Sequence, residues 1–254
     1  MEEWLTQAFW VGLAKIIGVN IILSGDNAVV IALAARSLPR KQQKLAIFWG
    51  AGAAVVLRVI LTVFAVALLT LPWLKIIGSL LLFWIGIKLL VPEEPGDDVE
   101  ASDNLIAAIK TILIADLVMS LDNVIAVAAA AGGSLTLLIL GLAISIPLVI
   151  FGATLLVKLM DRFPIIITLG AALIGLVAGE MLVTDPVVVD WMKDHVAGYQ
   201  VDGDKPKLYG MNLELVCGAI GAVIVVAWGL WLAKREEAAA KQAASGVDAE
   251  TPNS

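Results

Sequence analysis

Polar side chains that can bind a metal ion interrupt the first long apolar stretch of the chain. Within Val19–Ala35 these side chains are Asn20, Ser24, Asp26 and Asn27. Carboxylates and amides are costly to bury in so apolar a segment, so they usually face a polar cavity or a partner and indicate a functional site. Asn20, Ser24 and Asn27 are spaced i, i+4 and i+7, so a helix places them in one stripe.

The same pattern occurs again 96 residues later. Ala115–Ala131 repeats the Ser-x-Asp-Asn order, and Asp116 takes the position of Asn20. The other equivalent pairs are Ser24 and Ser120, Asp26 and Asp122, and Asn27 and Asn123. The doubled motif predicts that the two stretches face each other and form one site.

The chemistry of the paired stretches favours a hard cation. Carboxylate, amide and hydroxyl oxygens are the ligands that Mg²⁺, Ca²⁺ and Mn²⁺ prefer, whereas Zn²⁺ and Cu⁺ favour side chains that are nearly absent here. Asp26, Asp116 and Asp122 would repel one another if all were ionised, which predicts competition between metal and protons. Alternatively, the Ser and Asn side chains only join helices, although that role requires no symmetric pair of buried acids.

Four further residues add to these expectations. Gly25 makes a local helix break plausible in the first stretch, and Leu121 makes one less plausible in the second. Arg58, in the middle of the next apolar run, either neutralises an Asp in the metal-free form or snorkels towards the membrane surface. Glu180, near the end of the sixth run, and Arg58 are also candidates for a gate or proton relay.

Composition places the chain in the membrane. Of its 254 residues, 60% are hydrophobic and only 16% are charged, and the mean hydropathy is +0.95. The net charge of −6 and the lack of a basic patch exclude a nucleic-acid partner. One His and one Cys exclude a His-rich metal site and an internal disulfide. The lack of a nucleotide-binding phosphate loop predicts passive or ion-coupled transport.

Seven apolar runs approach the roughly 20 residues that a spanning helix needs. They are Phe9–Ala35, Leu45–Thr70, Leu74–Val91, Leu105–Ala131, Leu135–Leu159, Ile165–Val183 and Leu213–Leu232. Basic residues follow the first, fifth and seventh runs: Arg36, Arg40, Lys41 and Lys44, then Lys158 and Arg162, then Lys234 and Arg235. With seven spans these residues all lie on one side, which predicts a cytoplasmic C-terminus and an N-terminus outside.

The repeat predicts the architecture: an all-α polytopic membrane protein with two inverted three-helix repeats and one extra C-terminal helix. Three spans per repeat reverse the direction of the second copy, as in many secondary transporters. The predicted segments are a first repeat (1–91), an acidic cytoplasmic linker (92–104), a second repeat (105–183), an extracytoplasmic loop (184–211), a seventh span (212–233) and a cytoplasmic tail (234–254). Within the loop, Pro186–Val196 is predicted to form an amphipathic helix.

The Ser-Gly-Asp-Asn-Ala and Ser-Leu-Asp-Asn-Val motifs, seven spans and an acidic segment between the halves resemble the TerC family of integral membrane proteins. The likeness is to its YjbE-like branch, which is grouped with the LysE-type exporters, and covers nearly all of residues 1–233. It implies export of divalent cations, chiefly Mn²⁺. It also implies that the Asp and Asn residues of both motifs, Asp26, Asn27, Asp122 and Asn123, are ligands.

The sequence therefore predicts an inner (plasma) membrane exporter of Mn²⁺ or a similar cation, with no enzymatic activity and no cofactor beyond the cargo. Four residues are further ligands or support: Ser24, Ser120, Asn20 and Asp116. Three alternatives stay open: export of an amino acid or other small solute, an intramembrane aspartyl hydrolase, and a stress-response membrane scaffold. The oligomeric state is also open, and a dimer is one option.

Overall fold

A computed structural model describes residues 7–64, 71–91, 101–131, 134–202 and 205–249. Within these ranges the chain is mostly helical. The helices are α1 (Gln7–Leu23), α2 (Gly25–Ala35), α3 (Arg40–Val63), α4 (Leu74–Lys88), α5 (Ala101–Ala131), α6 (Leu135–Arg162), α7 (Ile165–Val183), α8 (Pro186–His195) and α9 (Leu213–Ala249). The strands are β1 (Tyr199–Asp202), β2 (Lys205–Leu208) and β3 (Met211–Asn212).

The described residues contain five helices that are long and apolar enough to cross a membrane, namely α3, α5, α6, α7 and α9. The bent pair α1 and α2 brings the number of candidate spans to six. The helix α4 covers the predicted third run but has only 15 residues. At 1.5 Å per residue it extends about 22 Å, less than the roughly 30 Å of bilayer hydrocarbon. The chain is thus a multi-pass membrane protein, with five to six candidate spans among the described residues.

The first apolar run is broken and its counterpart is continuous. The axis turns by 49° between α1 and α2, at Ser24. Gly25 starts the second segment, and a side chain there would meet no described atom beyond its own helix within 4 Å. In contrast, α5 continues through Leu121 without interruption. The asymmetry that Gly25 and Leu121 predict is confirmed.

The helices pack closely through glycines. A side chain at Gly50 in α3 would lie 2.8 Å from Cδ1 of Ile112 in α5, so Ile112 would have to shift to make room for it. The helices α7 and α9 make a similarly close backbone contact at Gly175 and Gly221. Small residues at such interfaces are typical of membrane helices, because close packing replaces the hydrophobic effect as the attraction between them.

The segment between α7 and α9 contains α8 and a three-stranded antiparallel sheet. The helix confirms the predicted Pro186–Val196 element to within one residue. The sheet was not predicted. Its signal was present, because an Asp202-Gly203 pair between short strands is typical of a β-hairpin, although Gly203 lies outside the described residues. The strands pair from Tyr199 with Leu208 to Asp202 with Lys205.

Two predicted segment boundaries do not coincide with the ends of the observed helices. Most of the acidic linker, residues 92–100, lies outside the described part of the chain, and α5 begins at Ala101. The final helix α9 joins the predicted seventh span to the tail without a break and continues to Ala249.

Candidate functional site

Arg58 lies at the centre of a buried polar cluster. Its side chain extends from α3, and the residue is only 3% exposed. Nε donates a hydrogen bond to Oγ of Ser120 at 3.0 Å. Nη1 donates to Oδ1 of Asn20 at 2.7 Å and to Oγ of Ser24 at 2.9 Å. Nη2 is 2.5 Å from Oδ1 of Asp116. One guanidinium therefore joins residues of both repeated stretches.

Hydrogen bonds within each stretch hold these partners in place. The Ser24 hydroxyl is 3.2 Å from Oδ1 of Asn20, and the Ser120 hydroxyl is 3.2 Å from Oδ2 of Asp116. Both pairs are four residues apart, which puts them on one helix face. The two faces meet at Arg58, so the structure brings together four of the residues that the sequence analysis singled out.

Electrostatics explain why Arg58 takes this position. A charged side chain buried between helices is costly unless it has a charged and hydrogen-bonded partner. The side chains of Arg58 and Asp116 are 4% and 6% exposed, and their opposite charges compensate each other. Arg58 is therefore paired inside the bundle and does not snorkel to the surface.

Asn27 lies in the first turn of α2, three residues after the break at Ser24. It is 3% exposed, and neither Nδ2 nor Oδ1 has a hydrogen-bond partner among the described residues. Nδ2 of Asn20 is likewise without a partner in that part of the chain. Buried amides without partners are rare because each costs free energy. Such groups point to a ligand.

Asp26 lies in the first turn of α2, immediately after the helix break, and is half-buried. One of its carboxylate oxygens accepts a hydrogen bond from the backbone N–H of Asn27 at 2.8 Å. The positive end of a helix dipole favours a carboxylate at this position. The break at Ser24 therefore places a helix N-terminus, a carboxylate and an amide together within the first apolar run.

The remaining candidates lie elsewhere or are described only in part. In α5, Asn123 is half-buried, and the side chain of Asp122 lies outside the description. Glu180 in α7 packs against Gly218 of α9, at a different helix interface from Arg58.

No group of three or more His, Cys, Asp or Glu side chains among the described residues could hold a metal ion. A hard cation does not require such a group, because amide, hydroxyl and backbone oxygens can complete its coordination. A site here would use few carboxylates. The neutral oxygens of Asn27 and Asn20 then become as important as the charge of Asp26.

The sequence indicated only weakly that Arg58 connects the cluster. Arg58 and Glu180 are both predicted as candidates for a gate or relay, and Arg58 donates hydrogen bonds to four of the other candidate residues. The signal was its position: an Arg in mid-span requires an internal acidic partner. The repeat offered Asp26, Asp116 and Asp122 as partners and did not distinguish among them.

Comparison with known proteins supports the resemblance. The chain matches the integral membrane protein TerC family over residues 5–237. It is 42% identical to the membrane protein YjbE of Bacillus subtilis (strain 168) over 187 residues, which cover 74% of this chain and 86% of YjbE.

The membrane proteins YceF and YkoY of the same organism are each 28% identical, over 182 and 199 residues. These alignments cover 68% and 70% of this chain, and 70% of YceF and 60% of YkoY. No solved structure matches the chain. The chain belongs to the TerC family of integral membrane proteins.

Proposed function

We propose that the protein exports a hard divalent cation, Mn²⁺ in first place, through a site between the two Asp-Asn stretches. The observation that carries the proposal is the buried amide of Asn27, whose oxygen has no partner in the described residues and which follows Asp26 at a helix break. A carboxylate and an amide oxygen at a broken helix are suited to a hard cation. Membership of the TerC family favours Mn²⁺ within this class.

The proposed ligands come from both stretches. Asp26 and Asp122 supply charge, and Asn27 and Asn123 supply neutral oxygens. Ser24, Ser120, Asn20 and Asp116 are further ligands or orient the first four. The first stretch is the flexible half of the site, because its helix is broken and α5 is continuous.

Two inverted three-helix repeats followed by α9 give seven spans, with α4 as the short third span. Helix packing supports this arrangement. Gly50 of α3 contacts Ile112 of α5, and Gly141 of α6 contacts Ile16 of α1. The offset of 96 residues carries Ile16 to Ile112, and the second-helix offset of 91 carries Gly50 to Gly141. A contact and its equivalent are thus both present, as two repeats related by a pseudo-twofold axis require.

Arg58 acts in this proposal as a tethered counter-cation. It uses oxygens of Asn20 and Asp116 that a metal ion would also use. Arg58 and a dication therefore compete for the same charge, and entry of the metal displaces the guanidinium from Asp116. Displacement of Arg58 would shift α3 against α1 and α5, which couples occupancy of the site to the positions of the helices. Glu180 remains the candidate proton relay.

The bonds of Arg58 weigh against the export of amino acids. Such a substrate needs a base for its carboxylate, and Arg58 is the mid-span candidate. Four bonds from all three of its nitrogens already go to protein oxygens. The aspartyl hydrolase alternative would use Asp26 and Asp122 as a pair sharing a proton, but leaves Asn27 and Asn123 without a role.

Transport by the purified full chain in liposomes tests the proposal. Uptake of Mn²⁺, Ca²⁺, Mg²⁺ and Zn²⁺ is followed with a fluorescent metal indicator, with and without a pH gradient. We expect Mn²⁺ to be transported and Asp26→Asn and Asp122→Asn each to abolish the signal. Asp194→Asn, in the exposed part of the segment before the sheet, is the matched control. Normal Mn²⁺ uptake in either of the first two variants would refute the site.

A further inference from the structure

A strongly basic cleft lies at one end of the helix bundle, away from Arg58. It is formed between the start of α3 and the end of α6 and encloses about 860 Å³. Five of its lining residues are basic: Arg40, Lys41, Lys44, Lys158 and Arg162. Among the described residues that line it, Asp161 is the one acid. The cleft therefore has a large excess of positive charge, which corrects the expectation that the chain has no basic patch.

The basic residues of α3 oppose the dipole of their own helix. Cations are unfavourable in the first turn of a helix, where the unpaired backbone N–H groups already make the end positive. Yet α3 begins with Arg40 and Lys41, has no acidic residue in its first turn and has no side-chain cap. Helix stability alone would favour the opposite charge at these positions. A bound anion would compensate both the side chains and the helix end.

The basic residues of α6 lie at a helix end that favours positive charge. Lys158 and Arg162 lie near its C-terminus, where the dipole favours cations. What requires explanation is that they face the same cleft as Lys41 and Lys44. None of these three lysines forms an ion pair within the described part of the chain. The preference for basic residues on one side of a membrane accounts for their presence in loops but not for their convergence.

We propose that this cleft binds a phosphate group, carried either by the headgroup of an anionic lipid or by a soluble phosphate compound. Lys and Arg clusters between membrane helices at the bilayer surface are suited to phosphate headgroups. The volume is within the range of small-molecule sites and exceeds that of phosphate alone. One turn further along α3, Phe48 and Trp49 are exposed, which gives lipid chains an apolar surface beside the cleft.

Binding to the full chain, purified in a neutral detergent, tests this site. The probes are dihexanoyl phosphatidylglycerol, dihexanoyl phosphatidylcholine and inorganic phosphate, each titrated by calorimetry at low and high salt. We expect saturable binding of phosphatidylglycerol that weakens with salt, and at least about tenfold weaker binding of phosphatidylcholine. A lipid source gives no saturable heat with inorganic phosphate, whereas a soluble source gives binding of inorganic phosphate as well.

A charge-matched pair of triple variants ties the binding to the cleft. Lys41→Gln, Lys44→Gln and Lys158→Gln together should weaken binding of phosphatidylglycerol at least about tenfold. The control combines Lys110→Gln, Lys205→Gln and Lys234→Gln, which removes the same charge from exposed positions outside the cleft, and should bind as the parent does. Equal losses in both triples, or equal binding of the two lipids by the parent, would overturn the proposal. Circular dichroism verifies that both variants are folded.

Discussion

Arg58 and Asp116 form a buried ion pair between α3 and α5, with 2.5 Å between Nη2 and Oδ1. The pair connects the second apolar run of the chain to the fourth. Arg58 also bonds Asn20 and Ser24 of α1 and its break, so three segments depend on one guanidinium. A site that binds a cation at these oxygens would have to rearrange this pair.

We expect Asp116→Asn to destabilise the protein more than its small change in volume suggests. It leaves the charge of Arg58 buried without a counter-charge, and loss of one member of a buried pair costs about 3–5 kcal/mol. The melting temperature in detergent should fall by roughly 6 °C or more. Combining Asp116→Asn with Arg58→Gln should recover most of the loss, because no uncompensated charge remains. A double variant as unstable as the sum of the singles would show that the two residues are not coupled.

Arg58 should determine the affinity for the cation as well as stability. Replacement by Gln removes the competing charge, so Mn²⁺ should bind more tightly and dissociate more slowly, which lowers turnover. Arg58→Lys lacks the planar fork that joins four oxygens, but it keeps the charge that competes with the cation. The affinity of this variant for Mn²⁺ should therefore stay near the parent value. Calorimetric Mn²⁺ titrations of the two variants make the comparison. Unchanged affinity in Arg58→Gln would exclude competition at the site.

Replacement of Asn27 shows whether this residue binds the cation or only supports the fold. Its amide is buried without a partner in the described residues, and such a group costs about 1–3 kcal/mol. Asn27→Leu should therefore maintain or raise the melting temperature while abolishing Mn²⁺ transport. A merely structural Asn27 predicts the reverse: lower stability with transport in proportion to the folded fraction. Melting curves and liposome uptake on the same preparations decide between the two.

The sequence predicted much of this arrangement, for physical reasons that differ by element. Long apolar runs mark helices because a bilayer leaves few other options, and Gly25 against Leu121 indicated which copy of the motif is broken. The partner of Arg58 was not predictable, because three acids were within the same repeat pattern and only packing selects Asp116. The convergence of Lys41 and Lys158 on one cleft likewise depends on tertiary contact between α3 and α6.

Glycine packing between α3 and α5, and between α6 and α1, gives a prediction with an internal control. Gly50→Ala would place a methyl group 2.8 Å from Cδ1 of Ile112, and overpacking of this kind costs about 1–3 kcal/mol. Gly141→Ala meets Ile16 in the equivalent contact, more closely still. Gly52→Ala, two residues away in α3, meets no described atom of another segment within 4 Å and should maintain or raise stability. Melting temperatures that fall equally for Gly50→Ala and Gly52→Ala would contradict the packing.

Asp185 should stabilise the contact between α8 and the first turn of α4. It is completely buried, and its carboxylate accepts hydrogen bonds from the backbone N–H groups of Lys75 at 3.1 Å and Val187 at 2.9 Å. One side chain thus caps α8 and holds it against the first turn of α4. Asp185→Asn replaces one acceptor oxygen with an N–H₂ donor that would face backbone donors, so a loss of about 1–3 kcal/mol is expected.

The matched control for Asp185→Asn is Asp190→Asn, which removes an exposed carboxylate from α8 that pairs with Lys193 at 3.3 Å. Exposed pairs contribute little, so this variant should melt with the parent. Limited proteolysis locates the effect: cleavage between α7 and α9 should accelerate in Asp185→Asn before global unfolding begins. Equal melting temperatures and cleavage rates in the two variants would show that the cap does not hold α8 against α4.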